Sequence, residues 1–321
     1  MISIIIPVGP SSPFLSNCLE GLKNSTSKNF EVILVFDGWQ GDGFIDKNYS
    51  YSIKSLTVEK AGPAKCRNEG AKLAENELLL FLDSDVVLHK ESIAMALHSM
   101  QAKNADAIIG SYDDAPAQKD FVSQFRNLLH HYHHQQNNGQ EAVFWGAFGL
   151  IKKKVFTAVG GFNENFTEPS VEDIELGYRL HDQGYLAILD ASILLKHLKK
   201  WTITNMVYTD VFKRALPWTI LLAKHNKWSK NKLNTNSKEK LTALVALLNF
   251  CFLFLGIWQA YFLYVAFFSL LIFILLQKSF YAMLARKCTI ICCLTSIILH
   301  HIYYFSAIAG FFFAQFKLRS N

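Results

Sequence analysis

The stretch LLLFLDSD, residues 78–85, decides how the first two-thirds of the chain folds. Five consecutive apolar residues are too few for a buried helix and are typical of a strand covered on both faces, which the following aspartates end. Comparable apolar runs occur at residues 3–8, 31–36 and 107–111. Segments with helical spacing separate these runs, at residues 16–24, 63–74 and 91–103. Strands that alternate with helices predict an α/β domain with a mainly parallel sheet.

Acidic side chains directly follow two of these strands. Asp37 comes after the second apolar run, and Asp83 and Asp85 come after the third. Ligands of parallel sheets bind beyond the carboxyl ends of the strands, so these aspartates are candidate site residues. Two carboxylates at positions i and i+2 can bind one ligand together. One carboxylate binds a divalent cation, and the other binds ribose or the water shell of the cation. An isolated Asp-x-Asp is more often a solvated turn than a binding site. The neighbouring segments of the sequence are therefore needed to decide between these two interpretations.

The last third of the chain has the composition of a membrane segment. Residues 241–321 contain no Asp or Glu and only five Lys or Arg. Because a charge in hydrocarbon costs several kcal/mol, this composition predicts helices in a bilayer. Their lengths predict two to three spans, at about residues 241–258, 260–276 and 289–316. Three spans would place Lys317 and Arg319 on the non-cytoplasmic side of the membrane. A re-entrant segment around His300 would keep them on the cytoplasmic side. The sequence leaves both arrangements open.

A basic segment precedes this apolar third. Residues 196–240 contain eleven Lys or Arg and two acids, Asp210 and Glu239. Cationic segments stay on the cytoplasmic side and are attracted to anionic lipid, so residues 201–240 are expected to form a basic, amphipathic juxtamembrane segment with interfacial helices. We therefore expect an integral, multi-pass protein of a bacterial inner membrane, with a cytoplasmic N-terminal domain and membrane lipids as partners. Nucleic acid is not expected as a partner, because the adjoining apolar tract already explains the basic residues.

Five motifs in fixed order resemble those of one known family. They are IIIP at residues 4–7, VFDG at 35–38, RNEG followed by FLDSD at 67–70 and 81–85, GGFNE at 160–164 and EDIEL at 172–176. This series is similar to that of the inverting family 2 glycosyltransferases of the GT-A fold, here with C-terminal transmembrane segments. The similarity covers about residues 1–200, which are expected to form the catalytic domain. Asn163 stands where the family usually has Asp, and we expect this loop change to leave catalysis intact.

The resemblance implies a role for each matching position. Asp173 would be the general base, with Glu172 beside it near the acceptor. Asp85 would bind a divalent cation, Mn²⁺ or Mg²⁺. His197 matches a position where some relatives place a metal or diphosphate ligand, and an ordinary histidine at a strand end explains it equally well. The nucleotide-sugar donor would be bound by Pro7, Val8, Asp37, Arg67, Asp83 and Ser84.

The acceptor-binding residues implied by the resemblance are Trp145, Arg214 and Trp218. Residues 208–218 look like a distant counterpart of the Gln-x-x-Arg-Trp element of processive polysaccharide synthases, in which the Trp stacks against the acceptor sugar. The match is partial, because the Gln is missing and Pro217 precedes the Trp. Trp218 is therefore equally well explained as an anchor at the membrane interface.

The function that these residues predict is transfer of a sugar to a hydroxyl of a lipid or lipid-linked glycan at the cytoplasmic membrane face, as in cell-envelope glycan synthesis. One alternative is transfer to a polyprenyl phosphate, as in dolichyl-phosphate-mannose-like synthases. A phosphate oxygen is already ionised and needs no base, so the pair Glu172 and Asp173 argues against this alternative. A processive polysaccharide synthase is the other alternative, although two or three short spans are few for a polymer channel.

Overall fold

The chain folds into two compact units in the computed structural model, which describes residues 1–10, 12–41, 49–140, 143–224 and 236–320. The sheet unit consists of Met1–Ala117 and His134–Lys199. The helical unit consists of Gln118–His133 and Lys200–Asn321. The sheet unit is therefore interrupted in sequence by a segment that packs with the C-terminal helices.

A mixed sheet, eight-stranded in the part of the chain that the structure describes, forms the centre of the sheet unit. Its strands are β1 Ile2–Val8, β2 Phe30–Asp37, β3 Ser52–Val58, β4 Leu78–Leu82, β5 Val86–Leu88, β6 Ala107–Tyr112, β7 Phe148–Lys152 and β8 Ala187–His197. Their order across the sheet is β3-β2-β1-β4-β7-β6-β8-β5. Strands β3, β2, β1 and β4 are parallel, as are β6 and β8, whereas β7 and β5 run antiparallel to their neighbours. The predicted α/β fold with a mainly parallel sheet is confirmed.

Helices cover both faces of this sheet. They are α1 Leu15–Lys23, α2 Pro63–Leu73, α3 Ser92–Ala102, α5 Lys153–Ala158 and α6 Glu172–Asp182, while α4 Phe121–Gln136 crosses the boundary between the units. In β1, Ile4 packs into the core with α1 and α3, and Ile5 packs into the core with α2, α5 and α6. Burial on both faces explains why the strands that the sequence predicted are continuous apolar runs.

Three strands of the sheet, β3, β5 and β7, were not predicted from the sequence. β3 is an edge strand, and its residues are exposed or half-buried, so it lacks a continuous apolar run. β5 is only three residues long and follows the segment Asp83–Asp85 immediately. It pairs with β8 so that Val86 lies opposite His197. This pairing joins the end of the Asp-x-Asp segment to the end of the last strand.

The helical unit contains α4 residues up to His133 and a series of C-terminal helices. These are α7 Ile203–Tyr208, a π-helical segment Thr209–Ala215, α8 Leu216–Lys224, α9 Ser237–Leu255, α10 Tyr261–Leu276, α11 Lys278–Lys287 and α12 Ile290–Arg319. Part of the predicted juxtamembrane segment, residues 225–235, lies outside the described residues. The three predicted spans correspond to α9, α10 and α12.

Apolar side chains cover the outer surface of these helices. Phe267, Phe268 and Leu275 of α10 and Ile290 and Phe316 of α12 are all more than half exposed. Within the described ranges, α12 is the one helix long and apolar enough to cross a membrane by itself. The pair α10 and α11 meets the same criteria together but is bent by 76°.

The apolar face of α4 packs inside the helical unit. Phe125, Leu128 and Tyr132 have the spacing of one helical face and share a buried cluster with Phe280 and Leu299.

The adjacent Arg126 is buried and forms an ion pair with the buried Asp210 of the π-helical segment. Its guanidinium lies 5.3 Å from the ring of Trp201. This buried ion pair and the apolar cluster fix α4 among the C-terminal helices.

Candidate active site

The carboxyl ends of β1, β2 and β4 carry the predicted donor-binding residues. The carboxylate of Asp37 accepts hydrogen bonds from the backbone N–H groups of Ala61, at 2.7 Å, and Gly62, at 3.2 Å, directly before α2 begins. Gly62 has a φ of +84°, and a Cβ at this position would lie 2.3 Å from the carbonyl oxygen of Thr167. A residue with a side chain cannot occupy this position without moving the backbone, so the loop whose N–H groups bind Asp37 has a fixed conformation.

The other predicted donor residues lie at the same strand ends. The carbonyl of Val8, next to Pro7, accepts a hydrogen bond of 3.0 Å from the indole N–H of Trp39. The hydroxyl of Ser84 lies 3.2 Å from that of Ser12. The structure thus brings these residues to one edge of the sheet, and their contacts with a nucleotide stay a prediction.

Arg67 connects the Asp-x-Asp segment to helix α6. Only 4% of Arg67 is exposed, and its Nη2 donates to Asp83 at 2.9 Å while its Nη1 donates to Glu172 at 2.8 Å. Its guanidinium also lies 5.2 Å from the ring of Phe162. The side chain that was expected to bind near the nucleotide is therefore joined to two carboxylates from distant parts of the sequence.

Glu172 and Asp173 begin α6 and have different surroundings. Glu172 is buried, and besides its bond to Arg67 it accepts a hydrogen bond of 2.8 Å from the N–H of Ser170. Asp173 accepts from the N–H of Gly146 at 3.0 Å and from that of Ile174 at 2.8 Å. Successive helical residues point about 100° apart, so the two carboxylates cannot serve one reacting atom together.

The surroundings of Asp173 favour a proton acceptor. Burial, together with the charge of Glu172, raises the pKa of Asp173 to about 7, although the N–H of Gly146 and the charge of Arg67 act in the opposite direction. A carboxylate with a pKa near neutrality is suited to general base catalysis. Sequence reasoning did not single out Gly146, because a backbone donor has no signature in residue type.

Asp85 and His197 form the candidate metal site. Oδ2 of Asp85 lies 3.6 Å from Nε2 of His197, and the N–H of Leu198 donates to the carbonyl of Asp85 at 2.9 Å. Burial acts to raise the pKa of Asp85, but His197 and the charge of Lys199 hold it below its usual value. The carboxylate is therefore ionised near neutrality, as a metal ligand must be.

The donor set of this pair fits a divalent cation. Two ligand atoms that share one ion at about 2.1 Å lie about 3–4 Å apart, which is the separation found here. Carboxylate and imidazole are both ligands of Mn²⁺, and Mg²⁺ commonly takes only one or two protein ligands and completes its shell with phosphate and water. Among the residues that the structure describes, no cluster of three His, Cys, Asp or Glu side chains could hold an ion without such help.

A series of aromatic rings extends from His197. Tyr112 stacks on His197 with ring centroids 4.3 Å apart and planes inclined by 11°. Trp145 meets Tyr112 edge-on at 4.8 Å, and His134 meets Trp145 edge-on at 4.9 Å. Trp145 directly precedes Gly146, so the predicted acceptor residue is next in sequence to the N–H that holds Asp173. Tyr112 was not predicted as a site residue from the sequence. The feature that could have identified it is its position at the end of strand β6.

Arg214 and Trp218 belong to the helical unit. Arg214 lies in the π-helical segment and Trp218 lies in α8. Their acceptor-binding roles stay predictions.

The sequence matches a known family over about its N-terminal half. Residues 3–160 match the family model described as Glycosyl transferase family 2. The chain is 26% identical over 177 residues to Glycosyltransferase GlyG of Streptococcus pneumoniae serotype 4, a match that covers 50% of this chain and 59% of GlyG. It is 30% identical over 221 residues to validoxylamine A glucosyltransferase of Streptomyces hygroscopicus subsp. jinggangensis, which covers 57% of this chain and 52% of that enzyme. The matches thus span less than two thirds of these relatives.

A solved structure shares the fold. The mannosyltransferase PcManGT from Pyrobaculum calidifontis, in complex with GDP-Man and Mn²⁺, superposes with a TM-score of 0.56 at 13% identity and covers 97% of this chain and 86% of its own. At this identity the likeness concerns the fold alone, and it confirms the predicted GT-A type of α/β domain.

Proposed function

Because the chain carries a family 2 glycosyltransferase domain, we propose that it transfers a sugar, with inversion, from a nucleoside diphosphate to a hydroxyl of a lipid or lipid-linked glycan. The observation that carries this proposal is Asp173, which the N–H of Gly146 holds in place and whose pKa is raised to about 7. Such a carboxylate is ionised in a large fraction of molecules at neutral pH and still accepts a proton effectively.

Asp173 is the base that the proposed reaction requires. The acceptor oxygen forms a bond to the anomeric carbon while its proton passes to Asp173. The bond from the anomeric carbon to the diphosphate oxygen breaks, and the nucleoside diphosphate leaves with the electron pair. Glu172 does not compete for this role, because its oxygens are bound to Arg67 and to the N–H of Ser170.

The donor would bind at the carboxyl ends of the strands. Asp37, Asp83 and Ser84, with the backbone at Pro7 and Val8, would position the nucleotide, which places the diphosphate near the end of β4. Asp85 and His197 would hold a divalent cation there. When bound, this cation would neutralise the charge that develops on the departing diphosphate.

Replacing Asp85 by Ala is expected to abolish the cation-dependent part of donor binding. The variant loses the ionised ligand, so the affinity for a nucleotide sugar in Mn²⁺ should fall by at least about tenfold. A screen of UDP- and GDP-sugars for thermal stabilisation of the full chain, with and without Mn²⁺, measures this change and identifies the donor. Asp182→Ala, at the opposite end of α6, is the matched control and should behave as the natural protein does. Donor affinity that is the same with and without cation in the natural protein would exclude the metal site.

The composition and the surface of the helical unit favour an acceptor that is carried by a lipid. Its helices expose large apolar side chains along α9, α10 and α12, and residues 241–321 contain no acid. Exposed apolar surface of this extent is stable in hydrocarbon rather than in water. We therefore place the chain in the membrane as a multi-pass protein of the bacterial inner membrane, with the sheet unit on the cytoplasmic side, where the basic residues between 196 and 240 meet anionic lipid.

The membrane proposal predicts how the full chain is extracted. Protein in isolated membranes should stay in the pellet after washing with concentrated salt and with alkaline carbonate, and only detergent should release it. Salt screens the attraction of basic residues to lipid but leaves buried apolar helices in place. Release by salt alone would show that the protein is held peripherally by its basic segment.

A further inference from the structure

The end of strand β6 meets the end of strand β8 beside the candidate metal site. In the parallel pairing of these strands Tyr112 lies opposite Leu195, and His197 is two residues further along β8. Residues two apart on a strand share a face, and diagonal neighbours across a pair are within reach of aromatic side chains. The sheet register therefore brings the ring of Tyr112 against the ring of His197.

The contact between these rings is a parallel stack. Their centroids are 4.3 Å apart and their planes are inclined by 11°. The imidazole is thereby fixed on one face, in the orientation in which Nε2 lies 3.6 Å from Oδ2 of Asp85. The ring of Tyr112 and the carboxylate of Asp85 therefore both restrain the orientation of this imidazole.

Tyr112 is itself held firmly. It is buried to more than nine-tenths, and the edge-on ring of Trp145 supports it at 4.8 Å. The next residue, Asp113, donates its backbone N–H to the carbonyl of Leu195 at 2.8 Å, and the Asp113 carboxylate contacts Lys196 at 2.8 Å. The end of β6 is thus tied to β8 next to the stack.

We propose that Tyr112 is a positioning residue for the metal site, which fixes the imidazole of His197 in the orientation needed to bind a divalent cation together with Asp85. This inference rests on the proposed function, in which those two residues are the protein ligands. Groups that orient a metal-binding histidine change metal affinity by roughly 10- to 100-fold when they are removed. In this role Tyr112 acts through the flat face of its ring, which stacks on the imidazole.

The experiment measures Mn²⁺ alone, bound to the full chain in detergent, by electron paramagnetic resonance of the free and bound ion. Tyr112→Met fills a similar volume without a flat ring and should lower Mn²⁺ affinity by about tenfold, and Tyr112→Leu is a second variant of the same kind. Tyr112→Phe keeps the ring and should bind Mn²⁺ as the natural protein does. Pulsed measurements add the nitrogen modulation from a coordinated imidazole, which should weaken in the Met variant and persist in the Phe variant.

Two further variants distinguish an error in the positioning role of Tyr112 from an error in the assignment of the metal site. His197→Ala should lose both affinity and the nitrogen signal, and Tyr51→Leu, which removes a ring that packs on Phe30 instead, should lose neither. If His197→Ala weakens Mn²⁺ binding and Tyr112→Met does not, the positioning role is wrong and the metal site stands. If neither variant changes Mn²⁺ binding, His197 is not a ligand and both ideas fail.

Discussion

Replacing Asp173 by Asn should lower the turnover number by about 10²- to 10⁴-fold, the usual contribution of a general base. The amide has nearly the same shape and can still accept the hydrogen bond from the N–H of Gly146, but it cannot take a proton from the acceptor hydroxyl. Donor and cation binding should be unchanged, because the strand ends and the pair Asp85 and His197 are untouched. Steady-state kinetics with a donor found by thermal screening, together with nucleotide titration, measure the two effects separately.

The dependence of the rate on pH is the companion measurement. Only the ionised form of Asp173 accepts a proton, and its pKa is raised to about 7, so kcat/KM of the natural protein should rise with pH and level off above neutrality. The Asn variant should lose this rise. Asp182→Asn makes the same chemical change near the other end of α6 and should alter neither quantity. Undiminished turnover by the Asp173 variant would show that another group is the base.

Replacing Arg67 by Met should destabilise the sheet unit strongly. The variant leaves Glu172, whose side chain is 5% exposed, as a buried carboxylate without its cation, and Asp83 loses the same partner. Removal of one member of a buried ion pair typically costs about 3–5 kcal/mol. For a unit of this size the melting temperature should fall by roughly 10 °C. Thermal unfolding in detergent, followed by near-ultraviolet circular dichroism, measures the change.

Second substitutions assign the cause of this loss. Adding Glu172→Gln to the Met variant removes the unpaired charge and should restore part of the stability, which a double-mutant cycle quantifies. Arg67→Lys keeps the positive charge but cannot bond both acids in the same planar arrangement, so it should be intermediate. A Met variant as stable as the natural protein would mean that the two ion pairs contribute nothing to folding.

The sequence predicted those parts of the fold that depend on local composition. β1, β2 and β4 are continuous apolar runs because both faces of the sheet are covered, and Asp37, Asp83 and Asp85 follow them as expected. β3 was missed because a strand at the edge of a sheet is incompletely buried and therefore contains polar residues. β5 was missed because three residues give no periodicity, and only the pairing with β8 makes them a strand.

The organisation of the site depends on contacts that residue type does not encode. Arg67 and Glu172 are 105 positions apart, and only the packing of α2 and α6 on one face of the sheet makes them an ion pair. The stack of Tyr112 on His197 follows from strand order, because β6 and β8 are neighbours although β7 lies between them in sequence. The adjacent acids Glu172 and Asp173 likewise differ in their partners, because Glu172 is bound to Arg67 and Asp173 to the N–H of Gly146.

The position of α4 in the chain limits how the protein can be dissected into fragments. This helix lies within the sequence of the sheet unit, yet its residues up to His133 pack with helices that follow residue 200. A fragment ended at Lys199 would keep Phe125, Leu128 and Tyr132 after losing Phe280 and Leu299, which share their cluster. The uncovered apolar patch would promote aggregation even if the sheet folded correctly. A soluble fragment for crystallisation or inhibitor screening therefore needs two cuts rather than one, with residues 118–133 replaced by a short polar connector.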